Sequence, residues 1–395
     1  MREIRAFMLK EAFKRRYGYE PDLLVASPGR VNLIGEHTDY NDGFVLPMSI
    51  ERHTLIAAGR PSAAPGNLLR AYSLDLDESD EFLLDAASLT PTQKWTDYIK
   101  GVVQAFLLRG MTPDALDIVV STTIPIGCGL SSSAALQVAM ARLLQTLAPG
   151  LVVDTEVAGL CQTAEHEFTG TPVGIMDQYC VANARKDHLV YLDCRNLDAE
   201  HVHFDDPDVA VLIIDSKVSR ELRDGAYARR RAQCAEACAT LGVSHLRDAT
   251  TDQVRGAREA LGDVPYRRAL HVTSEDERTA RTVAAIRERR WTDAGREMYA
   301  SHRSMREDFE ITVPDIDRLV ELARAVGVEG GVFGSRMTGG GFGGCTVSLI
   351  ERDRVEDIVA AIAPAYLEAT GRALEYYLSS PAQGAHVLTR FEDLS

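Results

Sequence analysis

The chain has 395 residues, 45% apolar and 26% charged, which suits a soluble globular protein of two domains. Its formal net charge of -15, from 43 Lys and Arg against 58 Asp and Glu, argues against nucleic acid or an anionic membrane as partner but leaves room for a locally positive cleft. Seven cysteines without zinc-ligand spacing read as free thiols of a reducing compartment; residues 1–20 hold no apolar signal core and no run reaches a membrane span, so a cytoplasmic protein is expected.

Apolar spacing predicts a helix over residues 2–16, with Ile4, Phe7, Met8, Ala12 and Phe13 on one side. Strands are predicted at 23–26, 44–50, 54–58, 67–73, 80–84 and 115–121, with a helix at 95–110 before the last. Helices follow at 131–147 and 154–168, then strands at 189–193 and 209–215. The acidic stretch 198–208 between those strands reads as a domain junction. Beyond it come helices at 225–241, 250–260, 275–289, 291–300 and 315–326, a strand at 345–350, a helix at 354–370 and a strand at 374–378. The order predicts an α+β protein of two lobes, 1–205 and 206–395, with a cleft between them. Two arginine runs, Arg229 to Arg231 and Arg287, Arg289 and Arg290, read as solvated helix faces.

Residues 27–47 carry the densest polar set: Arg30, Asn32, Glu36, His37, Asp39 and Asn41, among Val31, Leu33, Ile34, Val45 and Leu46. The apolar residues pin the segment to a core, which disfavours a solvated loop. The polar ones suit a polyhydroxylated ligand, because every buried hydroxyl needs a partner. Gly29 and Gly35 mark places where backbone bends or approaches something closely.

Residues 124–135, Ile-Pro-Ile-Gly-Cys-Gly-Leu-Ser-Ser-Ser-Ala-Ala, lie between a strand and a helix. Gly127 and Gly129 free backbone N–H groups, and Ser131, Ser132 and Ser133 offer caps and hydroxyls at a helix N-terminus. This is a phosphate cradle without a Walker or dinucleotide-binding spacing. On the residues alone, a ligand-free helix start is an equal reading. Glu165 sits beside the apolar stripe of its helix. Asp177 lies in a mostly apolar run and needs a partner, for which Arg30 is suited; such a pair is either structural or reactive. Residues 339–344 hold five glycines in six positions, which calls for close backbone approach.

Residues 29–47 resemble the signature of the galactokinases, part of a larger family that includes homoserine, mevalonate and phosphomevalonate kinases. The Pro-x-Gly-x-Gly-Leu-Ser-Ser-Ser-Ala run at 125–134, Ala-Glu-His-x-Phe-x-Gly at 164–170 and Gly-Gly-Gly-Phe-Gly-Gly at 339–344 extend the resemblance along nearly the whole chain. It implies a kinase fold whose N-terminal lobe is like domain 2 of ribosomal protein S5 and whose C-terminal lobe is ferredoxin-like. ATP and Mg2+ lie between the lobes, and ATP phosphorylates the C1 hydroxyl of α-D-galactose. By the same resemblance Asp177 is catalytic with Arg30 as its partner. Glu36, His37, Thr38, Asp39, Gly174 and Tyr227 bind the sugar. Gly127, Cys128, Gly129, Leu130, Ser131, Ser132 and Ser133 cover ATP, while Ser133 and Glu165 hold Mg2+. The glycine-rich motif is expected to buttress the phosphate loop. Around Tyr227 the resemblance keeps Val218, Leu222 and the pair Arg230–Arg231 but not the flanking polar residues. A monomer is expected. The alternatives are a kinase for arabinose or N-acetylgalactosamine and a non-catalytic galactose sensor; the intact serines 131–133 weigh against the sensor.

Overall fold

The computed structural model describes residues 2–61, 66–112, 114–219 and 225–388. Its strands are Leu23–Asn32 (β1), Phe44–Val45 (β2), Pro47–Gly59 (β3), Leu68–Ser73 (β4), Glu78–Leu83 (β5), Leu116–Thr122 (β6), His188–Asp193 (β7), Ala199–His203 (β8), Val209–Asp215 (β9), Val332–Thr338 (β10), Cys345–Glu351 (β11), Glu375–Ser379 (β12) and His386–Leu388 (β13). The helices are Arg2–Tyr17 (α1), Asp97–Leu108 (α2), Ser132–Leu147 (α3), Val157–Thr169 (α4), Met176–Asn183 (α5), Ala226–Leu241 (α6), Thr251–Gly256 (α7), Arg258–Leu261 (α8), Asp263–Arg287 (α9), Trp291–Ser304 (α10), Pro314–Val326 (α11) and Val355–Thr370 (α12).

Three sheets result: a six-stranded one in the order β13-β1-β3-β6-β4-β5, a four-stranded β10-β11-β9-β12 and a three-stranded β2-β7-β8. Alternation along β1 and β3 divides the first sheet's side chains between two cores. Val25, Ile56 and Ala58 face α2, α3 and α4. Leu24, Ala26, Leu55 and Ala57 face α1. The second sheet is likewise buried on both faces, which is why β9 reads as an unbroken apolar run. Ala210, Leu212 and Ile214 pack on α11 and α12. Val209, Val211 and Ile213 join Leu46, Met48 and Leu130 from the first half of the chain in one core. The two halves therefore share packing rather than merely touching.

Most predicted elements occur, with shifts that have physical causes. The predicted packed side of α1 is rotated: Ala6, Leu9, Ala12 and Phe13 are buried, whereas Ile4, Phe7 and Met8 are exposed. Two apolar stripes compete on this helix, and the sheet takes the one whose small alanines permit close approach. β1 does not stop at Ala26 but continues to Asn32. Pro28 is tolerated there because β13 pairs only with residues 24 to 26, so its missing N–H faces no partner strand. A register shift between Pro28 and Arg30 absorbs Gly29, where an added Cβ would stand 2.7 Å from the Leu130 carbonyl oxygen.

The acidic 198–208 stretch is partly a strand, β8, paired with β7. The 250–260 helix is two short ones, α7 and α8. α9 begins at Asp263, well before the predicted 275. Its inner face carries Arg268, His271, Glu275 and Arg278, so a core-facing stripe is written in charged residues. α5, which bears Asp177, was not foreseen as a helix. No disulfide joins any of the seven cysteines, all of which lie among the described residues. Among the described residues no helix is long and apolar enough to cross a membrane.

Candidate active site

A cavity of about 380 Å³ opens where the end of β1, the start of α5, the start of α6 and the glycine-rich turn converge. Arg30, Glu36, His37, Asp39, Asp177 and Tyr227 stand in its wall. Chain positions far apart in sequence thus meet as expected.

Arg30 grips Asp177 with two parallel hydrogen bonds, Nε to Oδ1 at 2.7 Å and Nη2 to Oδ2 at 2.6 Å. Its Nη1 donates to the Gly129 carbonyl at 2.6 Å. The Arg30 side chain is 4% exposed and that of Asp177 26%, so the guanidinium is the hidden partner and the carboxylate is the one presented to the cavity. Burial penalises the Arg30 charge, but Asp177 and Glu36 outweigh it and hold the guanidinium firmly protonated.

Glu36 Oε1 accepts from the Gly339 N–H at 2.6 Å, from Thr338 Oγ1 at 3.3 Å and from Arg336 Nη1 at 3.5 Å. His37 takes a left-handed backbone, φ +62°. Its ring nitrogen Nδ1 is hydrogen-bonded to the Tyr40 hydroxyl at 2.8 Å, and the ring packs on Phe309 and Tyr227. Asp39 is pushed up to about 7, chiefly by burial and next by the charge of Asp177. Gly174 passes so close that an added Cβ would lie 1.6 Å from Asp39 Oδ2. Thr38 does not reach the cavity. Its hydroxyl is turned into its own loop, bonded to the Gly35 and Phe44 carbonyls at 3.0 and 2.7 Å, so it shapes the loop instead.

The phosphate loop has Gly127 and Gly129 at φ +80° and +77°, and α3 starts directly after Ser131. Leu130 is a core residue by its side chain, and its carbonyl accepts from Arg30 N–H at 3.1 Å. Cys128 Sγ donates to Asp215 Oδ2 at 3.3 Å, so its side chain turns towards β9. Ser131 does not cap α3; its hydroxyl donates to Asp177 Oδ2 at 2.5 Å. The Ser133 hydroxyl lies close enough to Glu165 to favour its charged form, and Glu165 accepts from Gln178 Nε2 at 2.7 Å. Burial first and Asp177 second push Glu165 up to about 7.

The glycine-rich turn backs the Glu36 side of the cavity, and Cys345 directly after it lies against Cys128 of the phosphate loop. Gly339 binds Glu36, Gly340 lies against the Tyr227 ring, and a Cβ on Gly341 would stand 2.5 Å from the Ile311 carbonyl. The run Arg229 to Arg231 is also more than a solvated face. Arg230 donates to the Phe309 and Glu310 carbonyls at 2.6 and 2.8 Å, and Arg231 reaches the Pro172 carbonyl at 3.0 Å. By contrast Arg287, Arg289 and Arg290 form surface ion pairs, as read. Leu222, one of the matched positions near Tyr227, lies outside the described residues.

Sequence reasoning missed the support beneath Glu36. Glu275, wholly buried, accepts from Ser301 Oγ at 2.6 Å, Gly35 N–H at 3.1 Å, Glu36 N–H at 3.4 Å and Arg278 Nε at 2.6 Å. Arg336, equally buried, stands between Glu275 and Glu36 and donates to the Asn32 carbonyl at 3.0 Å. Burial alone would raise the Glu275 carboxyl, but Arg278, His271 and Arg336 hold it at about 2. The available signals were the Glu275–Arg278 spacing and a lone arginine within the strand Val332–Thr338.

This fold and site define a kinase of the GHMP class. The model "GHMP kinases N terminal domain" matches residues 97–184 and "GHMP kinases C terminal" residues 282–369. The "Galactokinase galactose-binding signature" matches residues 11–60. Galactokinase of Homo sapiens is 43% identical over 383 residues, 96% of this chain and 95% of that protein. Galactokinase of Roseiflexus sp. is 42% identical over 381 residues, 95% of each. The crystal structure of Lactococcus lactis galactokinase complexed with galactose superposes with a TM-score of 0.91 at 30% identity, over 96% of this chain and 99% of that one. A mevalonate kinase at 18% identity and TM-score 0.64 shares the fold. The chain belongs to the galactokinase family.

Two substitutions test the supporting geometry. Glu275→Gln leaves buried arginines without their shared carboxylate and is expected to cost about 3 kcal/mol or more at pH 7 in urea unfolding. Because the folded carboxyl sits at about 2 instead of the usual 4.5, the wild type's advantage is present above 4.5 and fades as pH falls towards 2. An equal urea midpoint at pH 7 would refute the role given to Glu275. Gly174→Ala displaces the Asp39 carboxylate and is expected to raise KM for galactose about tenfold with ATP affinity kept; unchanged galactose kinetics would show that Asp39 tolerates being moved.

Proposed function

We propose that this chain transfers the γ-phosphoryl group of ATP to the C1 hydroxyl of α-D-galactose, giving galactose 1-phosphate. The observation that carries the reading is the Asp177 carboxylate, fixed by Arg30 and presented to a cavity walled by the galactose signature. Asp177 accepts the C1 proton as the sugar oxygen attacks the γ-phosphorus. Arg30 fixes the direction of that carboxylate, and its charge lies beside the site where negative charge develops. Glu36 and Asp39 offer acceptors for sugar hydroxyls, and His37 and Tyr227 supply ring faces against the pyranose. The N-terminus of α3 and the backbone of residues 127–133 receive the ATP phosphates.

The side chains also fit a magnesium ion. Ser133 and Glu165 are neighbouring hard oxygen donors. Glu165 is held near 7 by burial and by a neighbouring carboxylate, and a divalent cation would keep it ionised. When bound, Mg2+ would offset the charge on the phosphates. The same reading makes the chain a cytoplasmic monomer, its lobes dividing near residue 205. Ser131 to Ser133, Arg30 and Asp177 are all in place, which weighs against a non-catalytic sensor, and the galactose-binding signature matched over residues 11–60 favours galactose.

Asp177→Asn is expected to lower galactose-dependent ADP formation by about 100-fold or more while ATP binding is kept; full turnover would remove Asp177 from the mechanism. Ser133→Ala is expected to raise the Mg2+ concentration needed for half-maximal rate. An unchanged magnesium titration would mean the ion is held elsewhere.

A further inference from the structure

Ser131 occupies the position before α3 where a hydroxyl ordinarily closes onto the helix's own N–H groups. Here its backbone is left-handed, φ +60° and ψ +47°, and no such capping bond forms. That conformation is unfavourable for a residue with a Cβ. It swings the hydroxyl away from the helix and onto the reacting carboxylate, donating to Asp177 Oδ2 at 2.5 Å. The same oxygen accepts from Arg30 Nη2, whereas among the described residues Oδ1 accepts only from Arg30 Nε.

We propose that Ser131 is a positioning residue for Asp177, its hydroxyl holding the carboxylate and not a phosphate. Its hydroxyl saturates Oδ2 and leaves Oδ1 with open acceptor capacity, so Oδ1 is the atom that takes the C1 proton. The bond also ties the phosphate loop to the carboxylate from a second side. Arg30 already joins them through the Gly129 carbonyl at 2.6 Å. The aim of Asp177 and the shape of the loop are therefore set together. This inference rests on the catalytic reading of Asp177 given above.

The test uses the full chain with galactose, ATP and Mg2+. Ser131→Gly removes the hydroxyl while suiting the left-handed backbone, so the loop keeps its conformation. Expected is a fall in kcat of about tenfold, with KM for galactose and the Kd of a non-hydrolysable ATP analogue within about twofold. Ser131→Ala, which keeps the Cβ, should show the same split. An unchanged kcat in both variants overturns the inference. So does a weakening of analogue binding as large as the fall in turnover, which would make Ser131 a phosphate ligand. Asp177→Asn, measured alongside, separates the two levels. If it turns over at the wild-type rate, the catalytic reading falls and the inference with it. If it is inactive while Ser131→Gly runs at full rate, only the inference falls.

Discussion

One buried guanidinium holds the reacting centre together. Arg30 projects from β1, binds the carboxylate of α5 through two nitrogens and the carbonyl of Gly129 through a third. Strand, helix and phosphate loop are thereby fixed to one planar group. The fork geometry matters, because a lysine could place a charge there but not two parallel bonds and a third at a set angle. A guanidinium this deeply buried is stable only when fully partnered. The demand for partners is what draws β1 against the loop, and Gly29 is the residue that lets the backbones meet.

A second buried set of charges does the corresponding work on the other wall. Arg336, Glu275 and Arg278 lie under the loop that carries Glu36 and His37, with Glu275 taking the N–H groups of Gly35 and Glu36. Glu36 feels both Arg30 and Arg336, so the two systems meet at that residue. Four carboxylates, those of Glu36, Asp39, Glu165 and Asp177, gather within this small region. Burial and mutual repulsion push Asp39 and Glu165 up to about 7. Such a region is suited to accept hydrogen bonds from hydroxyls and to hold a cation.

Much of this was legible in the sequence because function and spacing coincide locally. The polar run 30–41, the loop 127–133 and the glycine run 339–344 are contiguous, and their chemistry can be read within a dozen residues. What was not legible is what depends on distance. The spacing of Glu275 and Arg278 and the lone Arg336 in its strand are weak signals of a shared interior, since charged residues on a helix or strand ordinarily face water. Ser131 looked like a cap because its type and place say cap; only its backbone conformation sends the hydroxyl elsewhere. The resemblance set the glycine-rich turn against the phosphate loop, yet the turn itself touches Glu36, Tyr227, Ile311 and Val218, which lie far from it in sequence. In α1 the periodicity was right and the face rotated: Ala12 and Phe13 are buried as expected, but Ala6 and Leu9 take the place of Ile4, Phe7 and Met8.

The pairing of β13 with β1 sets an order of events during synthesis. Leu24 lies beside Leu388, and Ala26 beside His386. A ribosome delivers β1 long before the strand that closes its outer edge. Through most of translation the first sheet therefore carries an unpaired edge at Leu24 to Ala26, a site open to wrong pairing with another nascent chain. That edge is closed only once residues 386–388 have emerged, and the contact is among the most non-local that the described residues make. The sugar signature and the phosphate loop are both made before the strand that seals this edge.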